Sequence, residues 1–288
     1  MSHVTPQIIN ANIEGLVSVI VPTVNRPSLE NSIQSVLNQD YKNIEIIVVG
    51  DGVMPDLTHL PNGNDVPIFT HEAPPTGRPG PLRNFGISQA RGQFLAFLDD
   101  DDIWVGNKLT KQLRALDQNQ TNLVCSNALL AKSSGGSIYY FQKVPRIGYL
   151  IASIVNPVIL SSLLVKRNDT DRYLEPTFPE ENQYRGFEDH IYVIQHLKHG
   201  RLTFLDDALV IYQNDGANRL SSQLFRERNK MISSTNLCTA KLLMHKPTIS
   251  SSARALWHAL VWACSKVYDL LPLNVSKRLE RLVAGFVR

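Results

Sequence analysis

Runs dominated by aliphatic residues, rather than strictly alternating ones, set the frame of this chain. Residues 17–21 (VSVIV) and 44–49 (IEIIVV) are rich in β-branched side chains and closed by Pro22 and by Gly50-Asp51-Gly52. Such runs are how strands buried on both faces of a sheet read. Between them, Leu29, Ile33, Val36 and Leu37 recur at helical spacing after Pro27, which predicts an amphipathic helix over 28–38. Strand, helix and strand within some thirty residues make a βαβ unit with parallel strands and a right-handed crossover.

The stretch 54–80 is rich in Pro, Gly and Asn and reads as loop, with one short strand near Ile68-Phe69. A helix follows over 82–90, then a third buried strand, 94–98, which runs directly into Asp99-Asp100-Asp101-Asp102. Ligands of open α/β sheets sit beyond the carboxyl ends of the strands. Pro22-Thr23, Asp51 and the four aspartates all fall at such ends, so three strand ends converge on one crevice. Downstream, the pattern predicts a helix over 108–116, a strand over 123–130, a turn at 133–137 (SSGGS) and a strand over 158–165. A helix over 189–199 follows, with Glu188-Asp189 at its N-terminus, then short strands at 202–205 and 209–212. From 224 onward the chain reads as helical, broken at Pro247 and Pro272, and no repeat of fixed period is visible.

Composition narrows the class. The 288 residues, 43% of them hydrophobic, are ample for one large domain or one domain with an extension. Twenty-nine Lys and Arg against 26 Asp and Glu give a formal charge of +3, with no basic block and no basic–aromatic stripe, so no nucleic-acid partner is expected. Cys125, Cys238 and Cys264 are scattered without a CxxC, which argues against a disulfide framework or zinc site and for a reducing compartment. The first fifteen residues lack the pattern of a secretory signal. The longest apolar stretch, 255–264, is interrupted by His258 and falls short of the roughly 20 residues that span a bilayer. The expected setting is cytoplasmic, soluble or peripheral on the inner face of the membrane.

Two acidic groups carry the candidate chemistry. Unit charges 4 Å apart repel by about 1 kcal/mol in water and about 4 kcal/mol at an effective dielectric near 20, so four adjacent aspartates are awkward unless a cation joins them. Oxygen ligands suit Mg²⁺ or Mn²⁺; a solvated acidic turn is the plainer alternative. An EF-hand is excluded, because the twelfth position from Asp99 is Thr110 rather than Glu. Glu188-Asp189 suits a general base, or equally the negative charge that a helix N-terminus favours.

The blocks VSVIVPTVNRP, EIIVVGDG, GRPGPLRNFGISQARGQFLAFLDDDDIW and GFEDHIYVIQHLKHGRLTFLDDALVIYQ, in that order, resemble the family 2 inverting glycosyltransferases. The matching blocks cover roughly residues 16–222. The resemblance implies an α/β fold of the GT-A (nucleotide-diphospho-sugar transferase) type, an αβα sandwich with a mostly parallel central sheet. It divides the chain into a GT-A domain over 1–222, with a nucleotide-binding half (16–107) and an acceptor half (108–222), and a helical C-terminal extension (223–288). It implies a metal-dependent, hexosyltransferase-like enzyme that moves a sugar from a nucleotide-diphosphate sugar to an acceptor hydroxyl, in the synthesis of cell-surface polysaccharide or glycolipid.

Residue by residue, the resemblance sets Pro22, Thr23 and Asn25 against the nucleotide base and ribose. Asp51 takes the second position of the family's Asp-Asp-Gly turn, accepting from the base, while Gly50 departs from the first position. Arg78 and Arg83 flank the loop where an arginine faces the donor diphosphate, with Arg78 favoured; Asn84 and Gly86 shape that loop. The Asp-x-Asp metal motif maps onto Asp99 and Asp101. Asp99 and Asp100 border the donor, Asp100 in the variable middle position, and Asp102 is structural or faces the sugar. Trp104 packs beside the site or stacks on a sugar. Asp189 matches the base and Glu188 its orienting neighbour. Asp215 stands where the family carries a metal-joining histidine, so it is either a third metal ligand or a loop residue. His190, His196 and His199 read as solvated or packed.

Residues 253–288 lie outside the resemblance. Trp257, Leu260, Val261, Cys264, Val267 and Leu271 form an apolar stripe followed by Lys277, Arg278, Arg281 and Arg288. This suits peripheral contact with an anionic membrane, and equally a helix packed on the domain or on a second copy. The expected partners are a nucleotide-sugar donor and a glycan or lipid-linked acceptor. Two rivals stand beside this reading: a degenerate, non-catalytic sugar-nucleotide-binding module, permitted by Gly50 and Asp215, and a sugar nucleotidyltransferase, disfavoured because PTVNRP replaces a glycine-rich phosphate loop. Donor sugar, acceptor and oligomeric state are not legible, and the loops 53–77 and 140–157 that would set specificity carry no diagnostic pattern.

Overall fold

A computed structural model describes residues 12–61, 65–131, 136–140, 158–167, 176–197 and 201–213. The buried runs form the centre of a nine-stranded sheet: β1 (Ile13–Thr23), β2 (Ile44–Asp51) and β4 (Gly92–Phe97), with β3 (Ile68–Ala73) at one edge. Beyond β4 lie β8 (Leu164–Lys166), β6 (Leu123–Ala131), β9 (Leu202–Gln213) and β5 (Ile103–Trp104), while β7 (Ser137–Tyr139) pairs with β6. The strands β3, β2, β1 and β4 are mutually parallel, as are β6 and β9; the three short strands β5, β7 and β8 run antiparallel to their neighbours.

Helices cover both faces. On one, α1 (Leu29–Leu37) and α3 (Lys108–Asn119) bury Leu29, Ile33, Val36, Leu109 and Leu116 against Val17, Val19 and Val21 of β1. On the other, α2 (Pro79–Gln89) and α4 (Glu188–Leu197) pack Leu82, Ile87, Tyr192 and Val193 against Ile20, Leu95 and Phe97. Each such side chain, fully buried, stabilises by about 1.5–3 kcal/mol. The result is the expected αβα sandwich. From β1 the chain moves outward through β2 and β3, then returns to place β4 on the other side of β1. That reversal opens a crevice at the carboxyl ends of β1 and β4.

Several local expectations are corrected. Residues 158–165 do not form one strand: a 3₁₀ turn, Leu160–Ser162, precedes β8. The two strands expected at 202–205 and 209–212 are a single β9, whose register against β6 shifts between Ser126 and Ala128. The second helix begins at Pro79, three residues earlier than expected, because prolines are tolerated in a helical first turn. The expected helices from 224 onward, including 253–288, residues 141–157 of the stretch expected to set specificity, His199 and Asp215 lie outside the described residues.

Candidate active site

The crevice takes its floor from strand ends. The register of β4 with β1 stops at Ile20, so Pro22 falls where β1 needs no donor toward β4. Thr23 is buried and its hydroxyl donates to Asp100 Oδ2 at 2.7 Å. Asn25, in the left-handed region at φ 59°, reaches across to the loop after β2: its Nδ2 donates to the Met54 carbonyl and its Oδ1 accepts the Asp56 N–H. Asp51 Oδ1 accepts the Thr76 N–H at 2.5 Å and Oδ2 the Gly77 N–H at 2.8 Å, so this carboxylate fastens the turn that leads into α2. The departure at Gly50 has a steric cause. A Cβ there would stand 1.8 Å from the Val53 carbonyl oxygen, and the turn closes too tightly for an aspartate.

The four aspartates make a turn closed by the Asp102 N–H donating to the Asp99 carbonyl at 3.0 Å. Their side chains diverge in role. Asp100 is buried and receives Thr23 together with Arg26 Nη1, the latter at 2.6 Å. Arg26 also lies 3.5 Å from Asp101 Oδ2. Burial works against the Arg26 charge, but Asp100 and Asp101 outweigh it and raise its pKa. Asp99, Asp101 and Asp102 each present a carboxylate oxygen within 4.8 Å of the others. Asp102, expected to be structural or sugar-facing, thus joins the expected pair Asp99 and Asp101. Three hard oxygen donors at this spacing fit a Mg²⁺ or Mn²⁺ ion.

Arg83 joins this turn to the second acidic group. Its guanidinium, 2% exposed, donates through Nη2 to Asp99 Oδ1 and through Nη1 to Asp189 Oδ1, both at 2.6 Å. Desolvation opposes its charge, yet Asp189 and Asp99 together raise its pKa. Asp189 stands in the first turn of α4 with its side chain 37% exposed. Removal from water pushes its carboxyl upward against the pull of Arg83. Glu188 is buried; its Oε2 accepts the Gly186 N–H while Oε1 has no hydrogen-bond partner, and burial raises its pKa as well. A Cβ on Gly80 would stand 3.2 Å from Glu188 Cγ, so the glycine lets α2 approach Glu188.

Arg78 caps α2 and donates from Nη2 to the Glu180 carbonyl, while its Nε and Nη1 are buried without an acceptor. Asn84 exchanges two hydrogen bonds with the Phe178 backbone, at 2.8 Å each. A Cβ on Gly86 would meet Ile20 Cγ2 at 2.5 Å. Trp104 is buried, donates to the Ser161 carbonyl at 2.8 Å and carries Lys108 Nζ 3.8 Å above its ring. It packs, and no face of it is open for a sugar. His190 is buried and His196 packs edge-on against Tyr192.

Of the expected residues, Thr23 donates to Asp100, which also receives Arg26, itself near Asp101, while Asp99 and Asp189 are joined through Arg83. The aspartate turn sets the two groups side by side, Arg78 stands at the start of α2 where Asp51 fastens the preceding turn, and Asp215 is outside the described residues. Two contributors escaped the sequence. Arg26 sits in the VNRP segment at a strand end, a position that carried a signal. Ser161, which contacts both ends of the aspartate turn, carried none.

Comparison with known proteins adds the following. Residues 18–159 match the model described as Glycosyl transferase family 2. An uncharacterized glycosyltransferase of Haemophilus influenzae is 30% identical over 178 residues, 60% of this chain and 71% of the relative. The GalNAc(5)-diNAcBac-PP-undecaprenol beta-1,3-glucosyltransferase of Campylobacter jejuni is 25% identical over 303 residues, spanning 92% of this chain and 96% of that protein. Other curated relatives are far longer than their match, which covers 15% and 17% of two of them. Among solved structures, S. aureus TarS 1-349 in complex with UDP-GlcNAc superposes with a TM-score of 0.57 at 22% identity, covering 77% of this chain and 66% of that one. No helix among the described residues is long and apolar enough to cross a membrane.

Proposed function

Because this chain belongs to the family 2 glycosyltransferases and has their GT-A fold, we propose that it is a metal-dependent, inverting enzyme acting on a lipid-linked glycan. It moves a sugar from a nucleotide-diphosphate sugar to an acceptor hydroxyl. The observation that carries the reading is the bridge from Asp99 through Arg83 to Asp189: the residue expected at the metal and the residue expected to take the proton share one guanidinium. The acceptor class rests on the likeness to the undecaprenol-linked glucosyltransferase. Domain limits at 1–222 and 223–288 belong to the same proposal.

Asp189 removes the proton of the acceptor hydroxyl as its oxygen attacks the anomeric carbon, and the bond from that carbon to the diphosphate oxygen breaks on the opposite face. One displacement inverts the centre, and the nucleoside diphosphate leaves. Removal from water raises the Asp189 pKa, and a carboxylate of higher pKa is a better proton acceptor. Glu188, buried against α2, fixes the first turn of α4 on which Asp189 stands. Asp99, Asp101 and Asp102 would hold the divalent ion, whose chemistry there is to neutralise charge on the departing diphosphate. Arg78 suits the diphosphate better than Arg83 does: its two buried N–H groups without an acceptor lie at the start of α2, where an anion is favoured, whereas Arg83 is already occupied by two carboxylates. Asp51 Oδ1 already accepts both the N–H and the hydroxyl of Thr76, so Oδ2, which accepts the Gly77 N–H, is the oxygen with a second lone pair for the base.

The test is thermal unfolding of the full chain with a panel of nucleoside diphosphates, each with and without Mn²⁺. A nucleotide present at one hundred times its Kd stabilises by about 2.7 kcal/mol. We expect one base to raise the midpoint and Mn²⁺ to be required, with Asp101→Ala abolishing the metal requirement and the shift. A nucleotide shift that persists undiminished in EDTA would overturn the metal dependence; no shift with any nucleotide would favour a non-catalytic module.

A further inference from the structure

Three carboxylate oxygens within 4.8 Å repel one another, so some other group must hold them facing inward before a cation arrives. Arg83 takes Asp99 from one side and Arg26 approaches Asp101 from another. At Asp102, which is wholly buried, a hydroxyl does part of this work: Ser161 Oγ donates to Asp102 Oδ2 at 2.6 Å. Ser161 Oγ also accepts the backbone N–H of Asp99 at 3.1 Å, and the Ser161 carbonyl accepts the Trp104 indole N–H at 2.8 Å. One residue, about sixty positions away in the chain, therefore grips the first and last aspartates of the turn and the tryptophan that follows.

Ser161 is itself held. It sits in the 3₁₀ turn that precedes β8, and the neighbouring Ser162 carbonyl accepts Gln112 Nε2 at 2.6 Å. Gln112 Oε1 in turn accepts Lys108 Nζ at 2.8 Å, and that nitrogen lies over the ring of Trp104. The contacts close a ring through Lys108, Gln112, the Ser161–Ser162 pair and Trp104, all buried, with the Ser161 hydroxyl as its projection toward the aspartates. A hydroxyl is required at that point, because it must donate on one side and accept on the other.

We propose that Ser161 is a positioning residue for the acidic turn, setting the spacing of Asp99 and Asp102 at which a divalent cation binds; this rests on the metal-dependent reading above. Groups that orient metal ligands from behind typically account for 10- to 100-fold in metal affinity. Ser162 provides the matched control. It belongs to the same turn and is equally buried, but its hydroxyl donates to the Ile159 carbonyl.

The experiment is titration of the full chain with Mn²⁺, the free ion counted by electron paramagnetic resonance, with and without uridine diphosphate. Thermal midpoints are measured without metal to verify folding. Ser161→Ala, and Ser161→Cys, which fills the space with a weak donor should alanine not fold, are expected to raise the Mn²⁺ Kd about tenfold or more. Ser161→Thr keeps the hydroxyl and is expected to restore most of the affinity. Ser162→Ala is expected to stay within twofold of the parent. Parental Mn²⁺ affinity in a folded Ser161→Ala or Ser161→Cys chain would overturn the proposal, as would an equal loss in Ser162→Ala. A parent that binds no Mn²⁺ in either condition would overturn the metal reading itself and this inference with it.

Discussion

Arg83 Nη1 donates to Asp189 Oδ1 at 2.6 Å across 106 positions of sequence, from the second helix to the first turn of the last described helix. The contact ties the group expected to take the acceptor proton to the side of the crevice that carries the aspartate turn. It also opposes the desolvation that raises the Asp189 pKa.

Replacing Arg83 by Met removes that opposition. Catalysis by a base requires the ionised carboxylate, so the rate rises with pH through the Asp189 pKa. In the parent, the acid limb of kcat/KM should lie above the ordinary Asp value of about 3.9. In Arg83→Met the limb should move to still higher pH, so the rate on the acid side falls relative to the parent. A pH–rate profile of both chains checks the direction; a limb that moves to lower pH would contradict the assignment.

Asp189→Asn keeps the size of the side chain and removes the base. Transfer should fall by about 10²–10⁴, the usual contribution of a positioned base, while the nucleotide-induced thermal shift stays within a degree of the parent. Parental turnover in this variant would transfer the role elsewhere, Glu188 being the nearest candidate.

Gly86→Ala tests the packing of α2 on the central strand. The added methyl would lie 2.5 Å from Ile20 Cγ2, a short branched side chain enclosed on all sides. Overpacking of this kind destabilises by about 1–3 kcal/mol. Urea unfolding should show the loss without a change in the denaturant slope.

Lys108→Met tests the buried amine. Burial lowers the Lys108 pKa well below its ordinary value. Between that lowered value and the unfolded value near 10.4, the native chain binds fewer protons than the unfolded one. Parental stability therefore gains from this residue as pH rises through that window and loses as pH falls. Methionine abolishes the dependence. The stability of Lys108→Met relative to the parent should be greatest at neutral pH and shrink toward pH 10, as read by urea unfolding across that range.

The buried runs at 17–21, 44–49 and 94–98 were legible because a strand covered on both faces is apolar at nearly every position; Ser18 and Glu45 depart from the pattern, and in the fold both are buried and the serine hydroxyl donates to the glutamate. The same property hid the 3₁₀ turn at 160–162: a short apolar stretch in a core reads alike whether it extends or coils. Asp206 and Asp207 divided β9 on paper because their charge reads as a break. In the fold both are exposed, and Asp207 pairs with Lys111. In the site, the aspartate turn and Asp189 were legible from their location at element ends. That Arg83 faces carboxylates rather than a phosphate was not, since an arginine at a helix start suits either partner. Ser161 was beyond reach, because a lone serine becomes informative only when the sheet brings it beside residues sixty positions away.

The charges gathered in the crevice bear on what can enter it. Among the described residues, Asp99, Asp100, Asp101 and Asp189 lie in ion pairs with Arg26 and Arg83, and Asp102 adds a further carboxylate, so acidic groups outnumber these two guanidiniums at the turn. On the metal-dependent reading proposed above, a bare nucleoside diphosphate approaching that mouth meets its own sign, whereas a divalent ion, bound at the turn or carried with the nucleotide, cancels much of that charge. Admission on that reading depends on the company the nucleotide keeps, and added salt, which ordinarily weakens the capture of an anion, would lower the barrier against the unescorted one.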